Sequence, residues 1–281
     1  METERGKEKA ALRVIRYKSA IPSEEPTFIY SYERGTGWLH WTNIRTGQVF
    51  RALIPSVKFK GGSSWCELPG RCLYFTGGFG ARQISKEVHR IDLTRDFSVT
   101  NRPPLHVSRN AHNSAYHNGY LYVVGGSNGT HAIKSCERYC EVSDTWEELP
   151  PLISGVFCNS MCVHEASQML YVIGGEVTMM SYNLIQELSL EALEWRLLEL
   201  ELPSTVSGIA CFVFHSVIYF LQESKLYLLD LEKEKVKQVK VLSADIQSYY
   251  GPSFYSRGNL FASSSSGPVQ RLHIGFLSVS H

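Results

Sequence analysis

The sequence has no stretch approaching the roughly 18 unbroken apolar residues that a membrane-spanning helix needs. Its first twenty residues, opening Met1-Glu2-Thr3-Glu4-Arg5, hold none of the apolar core of a secretory leader. Charge of either sign is barely in excess: 28 Lys and Arg against 27 Asp and Glu leave a net charge of +1. So weak a field favours neither nucleic acid nor an anionic membrane. The seven cysteines form no Cys-x-x-Cys pair, and an odd number of this kind reads as thiols in a reducing compartment. Signatures of a phosphate cradle, a nucleophile elbow, a zincin helix and an EF-hand are all missing. These absences describe a soluble, cytoplasmic chain with no cofactor.

What the sequence does contain is a repeat. Glycine pairs stand at Gly77-Gly78, Gly125-Gly126 and Gly174-Gly175, with first glycines 48 and 49 residues apart. Trp146 and Trp195 each follow the second glycine of their pair by 20 residues. Within Pro103–Leu152 the order is a polar turn, an alternating run to the turn Asn118-Gly119, the apolar run Tyr120–Val124, a third run around Cys136–Tyr139, and Trp146 before Leu149-Pro150. Four short strands and three turns in about 48 residues make one blade of a propeller. A period of this length built from strands excludes a helical solenoid.

The residues Leu121-Tyr-Val-Val-Gly-Gly126, Ser135-x-Glu137-x-Tyr139 and Trp146-x-x-Leu149-Pro150 closely resemble the kelch repeat. Leu170-Tyr-Val-Ile-Gly-Gly175 with Trp195 and Leu202-Pro203 is a second copy, and Leu73-Tyr-Phe-Thr-Gly-Gly78 opens a third. The resemblance covers roughly residues 60–203. It implies an all-β fold, a kelch β-propeller of four-stranded antiparallel blades, and 281 residues at this period suggest six of them.

Residues 1–11 then read as a charged tail and 12–281 as a single propeller, with blades near 21–55, 56–103, 104–151, 152–203, 204–243 and 244–281. Leu12–Tyr17 is expected to close the ring as the outer strand of the last blade, because closure removes exposed sheet edges. Blade one has Phe28–Tyr32 where a glycine pair belongs, so its inner strand is expected to be short or missing. Blade five has Leu221-Gln222 in place of the glycines.

Side chains that invite a chemical reading recur with the repeat. His117, His164 and His215 fall 47 and 51 residues apart; equivalent positions lie on a circle about the axis and do not converge on one ion. Cys136 and Cys140, like Cys158 and Cys162, lie four apart on strands, too far apart for a disulfide and better suited to packing as small hydrophobes. Trp146 reads as a wedge between neighbouring sheets. Some propellers similar to kelch are copper radical oxidases, which leaves a metal enzyme as one alternative function. A purely structural subunit of a large assembly is another.

The family resemblance implies a protein or peptide partner, bound by the loops entering each first strand and those after Gly-Gly. It leaves the oligomeric state open. The entering loops here are Lys58-Phe59-Lys60, Arg109-Asn110-Ala111-His112, Phe157-Cys158-Asn159, Thr205-Val206-Ser207 and Ser248-Tyr249-Tyr250. The following loops offer Phe79, Arg82, Asn128, His131, Glu176 and Gln222. Arginine and aromatic residues dominate interface energetics, and the lysines favour an acidic segment. A ubiquitin-ligase adaptor and a cytoskeletal scaffold are the roles the resemblance suggests.

Overall fold

The computed structural model describes residues 28–177, 180–181, 183–203, 208–243, 251–263, 269–275 and 277. Six antiparallel sheets follow one another along the chain as the blades of a propeller. Blade three is the plainest: Asn113–His117, Tyr120–Val124, Cys136–Cys140 and Thr145–Leu149 pair in sequence order. The turn between its first two strands is Asn118-Gly119, both at positive φ (48° and 91°), the geometry that matches the twist of a two-residue hairpin.

Burial explains the sequence pattern within a blade. Leu121–Val124 is buried throughout, because the second strand is covered by blades on both sides. In the outer strand Thr145–Leu149 only Leu149 is buried. The apolar side chains gather into wedges between consecutive blades. One wedge joins blades two and three around Tyr74, Leu121 and Tyr139, and another joins blades four and five around Tyr171, Phe220 and Tyr227.

Blades two, four and five have the same four strands, whereas blades one and six show three each among the described residues. In blade one, Phe28–Tyr32 is buried like a second strand, and Val49–Leu53 alternates like an outer one. The expected closing strand, Leu12–Tyr17, lies outside the described residues. The ring nevertheless joins end to end. Trp65 of blade two donates its indole N–H to Ser263 Oγ of blade six at 2.7 Å, and Ser263 Oγ donates to Tyr30 O of blade one at 3.2 Å. Phe261 and Phe254 pack into the same wedge as Tyr30 and Trp65.

Repeated residues act as fasteners between blades. The Trp146 indole donates to Pro103 O, and that of Trp195 to Pro150 O, each at 2.8 Å, tying a blade to the exit of the one before it. Both indoles are half-buried, so Trp146 is a wedge with one edge in water. The histidines do related work from the first strands: His117 Nε2 meets Gln168 Oε1 at 3.0 Å, and His164 Nε2 meets Ser216 O at 2.7 Å, each in the following blade. His215 is exposed. All seven cysteines are free thiols, five of them buried, and burial pushes the Cys136 thiol up to about 11.

Candidate interaction face

The chain enters blades two to five through a left-handed residue at one repeat position, Gly62, Ala111, Cys158 and Gly208, with φ between 51° and 69°. These residues form a belt. Ala111 N donates to Gly62 O, Cys158 N to Ala111 O and Gly208 N to Cys158 O, at 2.8, 2.8 and 2.9 Å. Four successive blades are thus joined backbone to backbone at the mouth of the ring. The glycine pairs complete the arrangement. A Cβ on Gly125 would lie 2.5 Å from Val156 O, and one on Gly126 would lie 2.8 Å from Asn110 O. Only glycine allows the chain this approach at positive φ.

The two sets of loops named from the sequence meet in the structure. Asn110 and Ser127 exchange backbone hydrogen bonds at 3.0 and 2.8 Å, as do Phe157 with Glu176 and Gly61 with Phe79. Each entering loop therefore braces the loop after Gly-Gly in its own blade. In blades two and four that loop rises as a small two-stranded ribbon, Phe79–Gly80 with Gln83–Ile84 and Glu176–Val177 with Met180–Ser181. In blade three, Asn128 Oδ1 accepts the amides of Thr130 and His131 at 3.1 and 3.0 Å, which fixes the loop tip. Blade five has no such loop: Gln222 pairs with Lys225 across the two-residue turn Glu223-Ser224.

Arg109 is corrected from a contact residue to a core residue. It is 0% exposed, and its guanidinium donates to Gly125 O (2.7 Å), Ser135 O (2.8 Å), Ser135 Oγ (2.9 Å) and Glu137 Oε1 (2.7 Å). Glu137 is buried as well and accepts the His106 amide at 2.9 Å. The pair locks the glycine corner to the third strand. A charge can sit there only because nearly every polar atom is matched.

His112 and Asn159 occupy one repeat position and are also buried. His112 Nε2 bonds Thr76 Oγ1 at 2.8 Å, and burial, aided by the Arg109 charge, holds the imidazole well below its ordinary value. Asn159 accepts from Asn113 Nδ2. Phe59 is buried against Tyr32 and Phe75. In each case the position was legible and the inward turn of the side chain was not.

The exposed members are Lys58, Arg82, Asn128 and His131, while Asn110, Phe157 and Glu176 are half-buried. Ser207, Tyr249 and Tyr250 lie outside the described residues. Lys60 is half-buried and engaged, its Nζ donating to Ser85 Oγ at 2.7 Å and Glu87 Oε2 at 2.5 Å. That hydrogen bond holds the Glu87 carboxyl below the usual carboxylate range. The structure adds two exposed cations, Arg34 against Gly61 and Lys86 beside Glu87. Arg34 was not legible because blade one lacks the glycine pair that marks this loop elsewhere. The mouth at blades one and two thus carries Arg34, Lys58, Arg82 and Lys86, and the acids beside them are engaged: Glu87 is bound to Lys60 and close to His89, and Glu33 meets His40 Nε2 at 2.9 Å.

Among the described residues no group of three or more His, Cys, Asp or Glu side chains is placed to hold a metal ion. None of their helices is long and apolar enough to cross a membrane. The Kelch motif family model matches residues 108–153, the blade with the Arg109–Glu137 pair. Kelch repeat and BTB domain-containing protein 2 of Ectromelia virus is 30% identical over 118 residues, 42% of this chain and 21% of the relative. Kelch-like protein 38 of Rattus norvegicus is 26% identical over 183 residues, 63% of this chain and 30% of the relative. Kelch-like protein 35 of Mus musculus is 38% identical over 71 residues, 25% of this chain and 12% of the relative. The matched part thus spans less than a third of the length of these relatives. The repeated glycine corner, the tryptophan fastener, the six sheets and these likenesses agree: the chain carries a Kelch motif in a propeller and is similar to kelch-repeat proteins over part of its length.

Proposed function

We propose that this propeller is a protein-interaction module whose partner lies across the face formed by the entering loops and the loops after Gly-Gly. One observation carries the reading. The two loop sets hydrogen-bond to each other in blades two, three and four, so exposed side chains at their tips are presented on braced backbone. Rigid presentation lowers the ordering cost of binding. The exposed cations at blades one and two select a partner segment that is acidic, since positive charges there repel basic competitors and attract acidic ones on approach.

The finer role we propose is recognition of a substrate for a ubiquitin-ligase adaptor in the cytoplasm. Its support is the likeness to relatives named for a BTB domain beside their kelch repeats. A cytoskeletal scaffold uses the same face and differs in its partner. Affinity purification from cell extract, comparing the wild-type chain with Lys58→Glu/Arg82→Glu, tests the face. Partners depleted at least about fivefold by the double reversal support it, and an unchanged partner set rejects it.

A further inference from the structure

The outer strand of blade five, Lys235–Val241, has the sequence KVKQVKV and runs seven residues, as does that of blade four, against five for the outer strands of blades two and three. Every residue in it except Val236 is exposed, with Val239 at 43% and Val241 at 63%. It is the last strand of its sheet, and among the described residues nothing pairs with its outer edge. The strand contains three lysines and no acid. Lys235 and Lys237 stand opposite Asp230 and Leu228, on the side turned toward blade six, and form no ion pair among the described residues. Lys240 reaches across that seam to donate to Ile274 O at 2.9 Å.

The other outer strands are built differently. Thr145–Leu149 carries Glu147, bonded to Arg138 at 2.8 Å, and Trp195–Glu201 carries Arg196, bonded to Glu187 at 2.6 Å. Glu147 and Arg196 are thus each matched by a charge on the neighbouring strand, whereas Lys235 and Lys237 of blade five have no ion-pair partner among the described residues. Lysines on an open edge discourage pairing with a copy of itself, which would set lysine against lysine. The same lysines and the exposed Val239 and Val241 beside them complement a strand that carries acidic and apolar residues.

We propose that the outer edge of blade five takes an extended acidic and apolar segment of a partner protein as an added strand. Backbone hydrogen bonds supply the pairing, Lys235 and Lys237 select acidic side chains, and Val239 and Val241 pack against apolar ones. This site stands apart from the loop face and does not depend on it.

The test uses the full chain and a fluorescein-labelled nonapeptide of alternating Glu and Val, followed by anisotropy at low salt. Saturable binding is expected, weakened about tenfold or more by Lys235→Glu/Lys237→Glu and regained by that variant with a Lys and Val peptide. Lys58→Glu/Arg82→Glu leaves it unchanged. Hydrogen exchange on the complex shows new amide protection across residues 235–241, which a loose ionic association does not produce. Equal binding by wild type and the Lys235→Glu/Lys237→Glu variant overturns the proposal, as does loss in the face variant alone or binding without new protection in this strand. A dimer in light scattering that the same lysine reversal dissolves also overturns it, because the edge then belongs to a second copy.

Discussion

Blades three and five share one four-stranded plan and hold it together by different chemistry. Blade three is keyed by polar parts: the Gly125-Gly126 corner, the buried Arg109–Glu137 pair and the Trp146 bond to Pro103. Blade five has Leu221-Gln222 at the corner and relies on stacked rings instead. Phe220 stacks on Tyr227 at 5.3 Å, and Phe212 on Tyr219 at 5.5 Å. Tyr255 of blade six lies 5.6 Å from the Phe212 ring. The difference follows the loops. Where a tall loop must be braced over the mouth, buried polar groups hold its root; where the connection is the turn Glu223-Ser224, apolar packing suffices. The repeat motif is therefore a set of fasteners for loop-bearing blades.

Removing the polar key is the strongest way to break this comparison. Arg109→Leu leaves Glu137 as an uncompensated buried charge and is expected to cost about 3–5 kcal/mol in urea unfolding. Arg109→Leu/Glu137→Leu should recover most of that loss, since it converts the corner toward the apolar plan of blade five. A double variant as unstable as the single one would show that the two blades are not interchangeable in this way.

Trp146→Ala comes next. A half-buried indole that also gives up its bond to Pro103 is expected to cost roughly 2–4 kcal/mol, below the range for a fully buried tryptophan. Val236 of blade five is also half-buried, in the wedge toward blade four. Val236→Ala should cost only about 1 kcal/mol, so equal denaturation midpoints for the two variants would remove the special role assigned to the indole.

The smallest effect is a pH dependence confined to the polar blade. The folded protein keeps His112 neutral, so its value is depressed relative to the unfolded chain. The unfolded state then binds the extra proton first. The associated stability is present above the ordinary histidine value of about 6.5 and is lost as pH falls below it. His112→Asn copies the residue that blade four has at this position, Asn159. It should flatten the fall in Tm between pH 7.5 and 5; an unaltered slope would assign that titration elsewhere.

Much of this was legible along the chain. The strands of blade three, the Asn118-Gly119 hairpin and the glycine corner follow from alternation, turn chemistry and spacing, all of which are local. The histidines at matching repeat positions were correctly kept apart, because equal position in a repeat means equal radius and different angle. Arg109 was legible as a loop residue but not as a core one. Its destination is set by Glu137, 28 residues later on the third strand of the same sheet, and by carbonyls at Gly125 and Ser135. Nothing in the local sequence separates it from Arg82, which stays in water.

The sequence by itself determined the period, the strand order within the clear repeats and the likeness to kelch repeats, because hydrophobic alternation and glycine geometry act over a few residues. Only the tertiary structure decided which loop residues turn inward and which stay exposed, how Ser263 of blade six ties to Tyr30 of blade one and Trp65 of blade two, and which side chains line the outer edges. Those outcomes depend on partners across the same blade, as for Arg109 and Glu137, in the adjacent blade, as for His112 and Thr76, or nearly the whole chain away, as for Tyr30 and Ser263, and none of these is local in sequence.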